Sequence, residues 1–173
     1  AQNSVRANAA LVEIMVSVDE SRLITITIRD DGSGMSDELK ERVTSPFATT
    51  RTTRKVGLGI PLMMQNARLA GGDVRIDSTL GQGTTLTATL HGDSIDCLPL
   101  GDLAGTVVSL VSANPERPDF RLSCSSPKGS MDFDTREMRQ ALGNVPLNEP
   151  EITAWMLSAI QEEIEPIFGG VIL

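Results

Sequence analysis

A chain of 173 residues with 40% apolar residues holds one ordinary domain, or one domain and a small appendage, and its 3% aromatic content leaves the core to aliphatic side chains. A formal net charge of −8 points to a soluble protein and excludes a general nucleic-acid grip, which needs clustered Lys and Arg. No apolar run reaches the roughly 18–20 residues of a membrane span, and no signal peptide is visible in a chain that starts at Ala1. Cys97, Cys124 and the single histidine, His91, form no metal-cage pattern, and the thiols read as reduced, partly buried groups of a cytosolic protein.

Taken in order, residues 1–10 read as the end of a helix, with Val5, Ala9 and Ala10 apolar and Asn3, Arg6 and Asn8 polar. Residues 11–18 alternate and predict a strand. Residues 22–29 predict its antiparallel return, with Ile24, Ile26 and Ile28 alternating with Thr25 and Thr27. Ser36 ahead of Glu38 and Glu41 predicts a capped helix over 37–43. Residues 44–56 have no period and carry Arg51, Arg54 and Lys55; so long an irregular stretch between compact elements marks a lid or binding loop. A helix follows over 60–69, with Pro61 in its first turn and Gly71-Gly72 as its stop. Strands over 73–78 and 84–90 flank a glycine turn and form a second hairpin.

Beyond His91 the character changes. Leu100, Leu103, Val107, Leu110 and Val111 stand at helical spacing and predict a helix over 98–113. A small hairpin is expected over 120–125 and 130–133. Asp134 with Glu137 reads as a capping box for a short helix ending at Gly143, and Asn148 with Glu151 opens a last helix to about residue 165. His91, behind a strand and without acidic helical neighbours, reads as structural.

Four stretches are expected to wall one nucleotide site: Asn3, Asp30-Asp31-Gly32-Ser33-Gly34-Met35, Gly57-Leu58-Gly59 and Gly81-Gln82-Gly83-Thr84. An adenine edge offers an exocyclic amine, for which an ionised carboxylate such as Asp30 is a suitable acceptor. Phosphates need backbone N–H groups and positive charge, which Gly57 and Gly59 at a helix start supply together with Arg51, Arg54 and Lys55 just upstream. A phosphate-bound metal prefers oxygen ligands, and the amide carbonyl of Asn3 is a candidate. There is no Gly-x-x-x-x-Gly-Lys-Ser/Thr loop and no Gly-x-Gly-x-x-Gly, so the common phosphate-loop and dinucleotide folds are excluded.

With these motifs in this order, residues 1–90 resemble the GHKL (Bergerat-fold) ATPase family, most closely the ATP-binding catalytic domain of sensor histidine kinases. Asn3-Ser4-Val5-Arg6-Ala7 is similar to the end of its asparagine box, and Asp30-x-Gly32-x-Gly34-Met35 to its first glycine box. Pro46-Phe47-Ala48-Thr49-Thr50-Arg51 resembles the Phe-containing box of the ATP lid. Gly57-Leu58-Gly59 and Gly81-Gln82-Gly83-Thr84 are similar to the second and third glycine boxes. The resemblance implies an α/β two-layer sandwich, with a mixed, mostly antiparallel sheet and helices on one face. A nucleotide domain over 1–91 would be followed by a small α+β extension over 92–173. It also implies ATP and Mg2+ as cofactors: Asp30, Gly32, Gly34, Met35, Arg6, Phe47, Thr50, Arg51, Lys55, Gly57, Leu58, Gly59 and Thr84 around the nucleotide, and Asn3 on the metal.

The sequence departs from the family pattern at Lys55, where a further glycine is usual. The residue that would serve as general base falls before Ala1, so the catalytic residue is unknown and the nucleotide domain is expected to be N-terminally incomplete. No phosphoacceptor helix is present. Three functions are therefore expected to compete: a histidine-kinase-type domain in the cytoplasm that offers phosphate to a histidine on another segment or protein, an ATP-dependent switch that regulates a partner, and a nucleotide-binding relic. None calls for nucleic acid or membrane contact.

Overall fold

The computed structural model describes residues 1–44 and 59–169. Its centre is one six-stranded sheet in the order β3-β4-β2-β1-β5-β6. The strands are β1 (Leu11–Val18), β2 (Leu23–Asp30), β3 (Val74–Thr79), β4 (Gly83–His91), β5 (Asp119–Ser126) and β6 (Gly129–Asp134). Every neighbouring pair is antiparallel except β1 with β5, which run parallel from Leu11↔Asp119 to Ser17↔Ser125. The helices are α1 (Gln2–Arg6), α2 (Asp37–Thr44), α3 (Gly59–Leu69), α4 (Leu103–Ala113), α5 (Thr135–Leu142) and α6 (Pro150–Phe168).

Two-residue alternation decides which face is covered. Val12, Ile14, Val16 and Val18 of β1 stand in register with Ile28, Ile26 and Ile24 of β2 and with Phe120, Leu122 and Cys124 of β5. These residues meet Val107 and Val111 of α4 and Met156, Ile160 and Ile164 of α6 in one core. Ala67 of α3 closes a smaller cluster over Val74, Leu86 and Ala88. The result is a two-layer α/β sandwich. Its other sheet face carries charge: Glu13 lies 3.7 Å from Arg29 and 3.8 Å from Arg121, which in turn bonds Asp132 at 3.0 Å. Pairs this exposed contribute little each, about 0–1 kcal/mol, so cohesion comes from the apolar layer.

The second half of the chain shares that layer. β5 and β6 extend the same sheet, and fully burying a side chain the size of Phe120 or Leu122 contributes about 1.5–3 kcal/mol.

Element boundaries depart from the sequence reading in α1, α4 and α6, while α5 opens at Asp134 as expected. The first helix stops at Arg6, because Asn8 turns left-handed (φ 55°) and releases the chain toward β1. The helix expected from residue 98 begins at Leu103. Pro99 and Gly101 (φ 73°) keep Leu98 and Leu100 outside it, and Asp102 caps it by accepting from the Gly105 N–H at 2.7 Å. Asp134 caps α5 through the N–H of Arg136. The last helix has Glu149, not Asn148, at its cap position without a side-chain bond, and it runs through Pro166 to Phe168.

Candidate functional site

One transverse row of the covered face changes character along its length. Phe120 of β5 pairs with Val12 of β1, Val12 with Asp30 of β2, Asp30 with Thr84 of β4, and Thr84 with Ser78 of β3. The first two are apolar and fully buried; the last three are polar, and Asp30 and Ser78 are each only 9% exposed. Three polar side chains on the core face of a sheet need partners or a ligand.

The first glycine turn makes the Asp30 end rigid. The Asp30 carboxylate accepts from the Gly32 N–H at 3.0 Å, the usual aspartate turn. Gly34 has φ 66°, and a Cβ there would fall 2.0 Å from the Thr79 carbonyl oxygen, so only glycine fits. Gly83 (φ 92°) lies equally close to the backbone of Asp30, where a Cβ would meet the carbonyl oxygen at 2.0 Å. The first and third glycine turns are thus backed onto each other, and the Gly81 N–H donates to the Ser33 carbonyl at 2.7 Å.

Ser78 locks the two turns together, a role the sequence reading missed. Its hydroxyl donates to the Gly83 carbonyl at 2.9 Å and accepts from the Met35 N–H at 2.8 Å. It also bonds the Thr84 hydroxyl at 2.9 Å. With its single proton used on Gly83, Ser78 accepts from Thr84, so its one donor and two lone pairs are all engaged. The available signal was a serine ending a strand directly before a glycine turn.

Asp31, read from sequence as a turn residue, has a structural duty as well. One carboxylate oxygen accepts the N–H groups of Ala10 at 2.6 Å and Leu11 at 3.0 Å, fixing the entry to β1. Burial raises the Asp31 carboxyl, but the Leu11 and Ala10 donations and the Arg117 charge outweigh it and hold the group below the ordinary carboxylate range.

A cavity of about 510 Å3 opens beside this row. Of the sequence-predicted residues, Asn3, Arg6, Asp30, Gly34, Met35, Gly59 and Thr84 line it. Its apolar wall is Ile28, Leu39, Val43, Ile60, Met63 and Leu86, none of them expected from sequence among the nucleotide-contacting residues. Gly32 does not line it; its N–H holds the Asp30 carboxylate instead. Phe47, Thr50, Arg51, Arg54, Lys55, Gly57 and Leu58 lie outside the described residues. His91 ends β4 opposite Leu23, seven residues from Thr84 and so about 24 Å along the strand. The cavity thus combines an apolar wall, the Asp30 carboxylate and the exposed Arg6 guanidinium, a set with the chemistry to take an anionic ligand that carries an aromatic ring. For a hard cation, Asn3 offers an exposed amide oxygen. Among the described residues there is no group of three or more His, Cys, Asp or Glu that could hold a metal.

Residues 1–94 match the family described as Histidine kinase-, DNA gyrase B-, and HSP90-like ATPase. An uncharacterized sensor-like histidine kinase of Rhizobium meliloti is 33% identical over 88 residues, 46% of this chain and 17% of that protein. Sensor histidine kinase WalK of Bacillus subtilis is 35% identical over 77 residues, 42% of this chain and 13% of its own length. Among solved structures, the histidine kinase domain of the Erythrobacter litoralis EL346 blue-light activated histidine kinase aligns with a TM-score of 0.34 at 19% identity, over 46% of this chain and 31% of that one. This chain therefore spans less than a fifth of the length of those two sensor kinases. With more than half of its residues inside the matched region, the chain belongs to the histidine kinase-, DNA gyrase B- and HSP90-like ATPase family.

Proposed function

We propose that the chain binds Mg-ATP in the cavity beside Asp30 and positions it, in the manner of a histidine kinase catalytic domain, for phosphoryl transfer to a histidine supplied from outside this chain. The observation that carries this reading is the row Asp30–Thr84–Ser78, which brings an almost fully buried carboxylate to a cavity that has an apolar wall. Asp30 would accept the adenine amine, the apolar wall would hold the ring, and Arg6 would meet phosphate oxygens. Asn3 would contribute one oxygen to magnesium, whose chemistry is to bridge and neutralise the phosphates. Met35 and Thr84 line the adenine side. Gly57 and Gly59 would supply N–H groups to the phosphates, and Phe47, Thr50, Arg51, Lys55 and Leu58 would also contact the nucleotide.

The cytoplasm suits this role, because ATP is available there and Cys97 and Cys124, both free thiols, stay reduced. Among the described residues no helix is long and apolar enough to cross a membrane. A second reading, an ATP-dependent switch that regulates a partner protein, is favoured by the way β5 pairs with β1 inside the nucleotide-bearing sheet. The deciding experiment supplies ATP labelled at the γ-phosphate. Label on a partner's histidine supports transfer, whereas nucleotide-dependent partner binding without label supports the switch. If Asp30→Asn leaves Mg-ATP affinity unchanged in the intact protein, the site itself is wrongly assigned.

A further inference from the structure

We propose that Arg117, in the second half of the chain, is a positioning residue for the nucleotide site: it holds the end of α1, and with it Asn3 and Arg6, in place against Asp30. The inference rests on the nucleotide reading of that cavity and extends it to a residue outside the matched region. Four successive carbonyls leave the end of α1, and each is taken by a group from elsewhere in the chain. The Ala7 carbonyl accepts from the Ser33 N–H at 2.9 Å, and the Ala10 carbonyl from the Asp119 N–H at 2.9 Å. Between them, the Asn8 carbonyl accepts from Nη2 of Arg117 at 3.4 Å and the Ala9 carbonyl from its Nε at 3.3 Å.

The same junction is gripped from the other side by Asp31, through the N–H groups of Ala10 and Leu11. The hub at residues 7–11 is therefore shared between the turn that carries Asp30 and the segment that leads into β5. Asn8 takes the left-handed conformation (φ 55°) that ends α1, which asparagine tolerates better than most residues, and the bonds around it fix the direction in which α1 meets the junction. A guanidinium suits the place on two counts. The carbonyls past a helix C-terminus concentrate negative potential, and the planar fork delivers two donors in fixed directions. Arg117 bonds the carbonyls of Asn8 and Ala9, neither of which lines the cavity, and its charge also favours the Asp31 carboxylate on the same hub, so it reaches the site through the junction that ends α1. A displacement of β5 or of the helices packed on it would move Arg117, and the nucleotide site would register the change.

Calorimetric titration of the intact protein with Mg-ATP tests the inference. Arg117→Met keeps the aliphatic stem and removes both charged donors, and an affinity loss of about tenfold is expected. Arg117→Lys keeps the charge without the fork and should fall between wild type and Arg117→Met. A general loss of stability would weaken binding equally in any background, so the decisive arm is Asn3→Ala. Because Arg117 works through α1, the further loss on adding Arg117→Met to Asn3→Ala should shrink to about twofold or less. Equal losses in both backgrounds, or wild-type affinity in Arg117→Met, overturn the proposal. If Arg117→Met does not fold, wild-type affinity in Arg117→Lys overturns it in the same way. The two readings separate cleanly: wild-type affinity in Asp30→Asn sinks the nucleotide site, while loss in Asp30→Asn with none in Arg117→Met sinks only the positioning role.

Discussion

Replacing Ser78 by alanine tests the polar lock between the two glycine turns. The hydroxyl makes three bonds, to the Met35 N–H, the Gly83 carbonyl and the Thr84 hydroxyl, from a residue only 9% exposed. One buried bond contributes about 1 kcal/mol net, and stranding a donor such as the Met35 N–H costs about 1–3 kcal/mol, so Ser78→Ala should destabilise by roughly 2–3 kcal/mol. For a chain of 173 residues that is a fall in Tm of roughly 4–12 °C. Equilibrium unfolding in urea should show a lower midpoint with an unchanged slope, since the surface exposed on unfolding is the same. Thr84→Val removes one of the three bonds from the other side, and the double variant should show a coupling of about 0.5–1.5 kcal/mol. Nucleotide affinity should fall in both single variants, because Met35 and Thr84 line the cavity. A loss for Ser78→Ala below about 0.5 kcal/mol, with no coupling to Thr84, would refute the lock, since that is the range of an ordinary surface substitution.

Acid should release the Asp31 grip on β1. A carboxyl held below its unfolded value of 3.8 contributes stability that is fully present above that pH and is lost as pH falls through its folded value. The stability difference between wild type and Asp31→Asn should accordingly be constant above about pH 5 and shrink below pH 3.8, read by urea midpoints across pH. The two thiols should differ in reactivity. Burial first, and Asp132 second, push Cys124 up to about 12, and the residue is 1% exposed. Iodoacetamide at pH 8 should modify Cys97 in the folded protein and reach Cys124 only on unfolding; equal rates would contradict the packing of β5.

The parts legible in the sequence are those written within a few neighbouring residues. Ile24, Ile26 and Ile28 alternate with threonines because one sheet face is covered and the other wet, and β2 follows directly. The turn from Asp30 to Met35 was equally readable, since Gly34 stands where no side chain fits. The Asp102 cap before Gly105 was also present to be read, yet the apolar spacing of Leu98 and Leu100 outweighed it and drew the expected start of α4 too early. What stayed hidden depends on residues far apart. No local pattern announces that Phe120 pairs with Val12, that Ser78 reaches Met35, or that Asp31 and Arg117 meet at one junction. The apolar cavity wall was invisible for a related reason: Ile28, Met63 and Leu86 look like any other core residues until the sheet row beside them turns polar.

The parallel pairing of β1 with β5 also sets a clock. β1 is an interior strand whose first neighbour, β2, is made almost at once, while its second arrives only after roughly 110 more residues. At a synthesis rate of about 5–20 residues per second, that side of β1 waits on the order of ten seconds on the ribosome. During the wait an alternating apolar strand presents a row of unpaired N–H and C=O groups, the form of edge most prone to pair with another chain. Asp119 and Arg117, which complete the hub at the end of α1, arrive on the same schedule. The cavity beside Asp30 thereby waits for Arg117 and Asp119 to secure the end of α1, although the described residues that line it are all translated earlier.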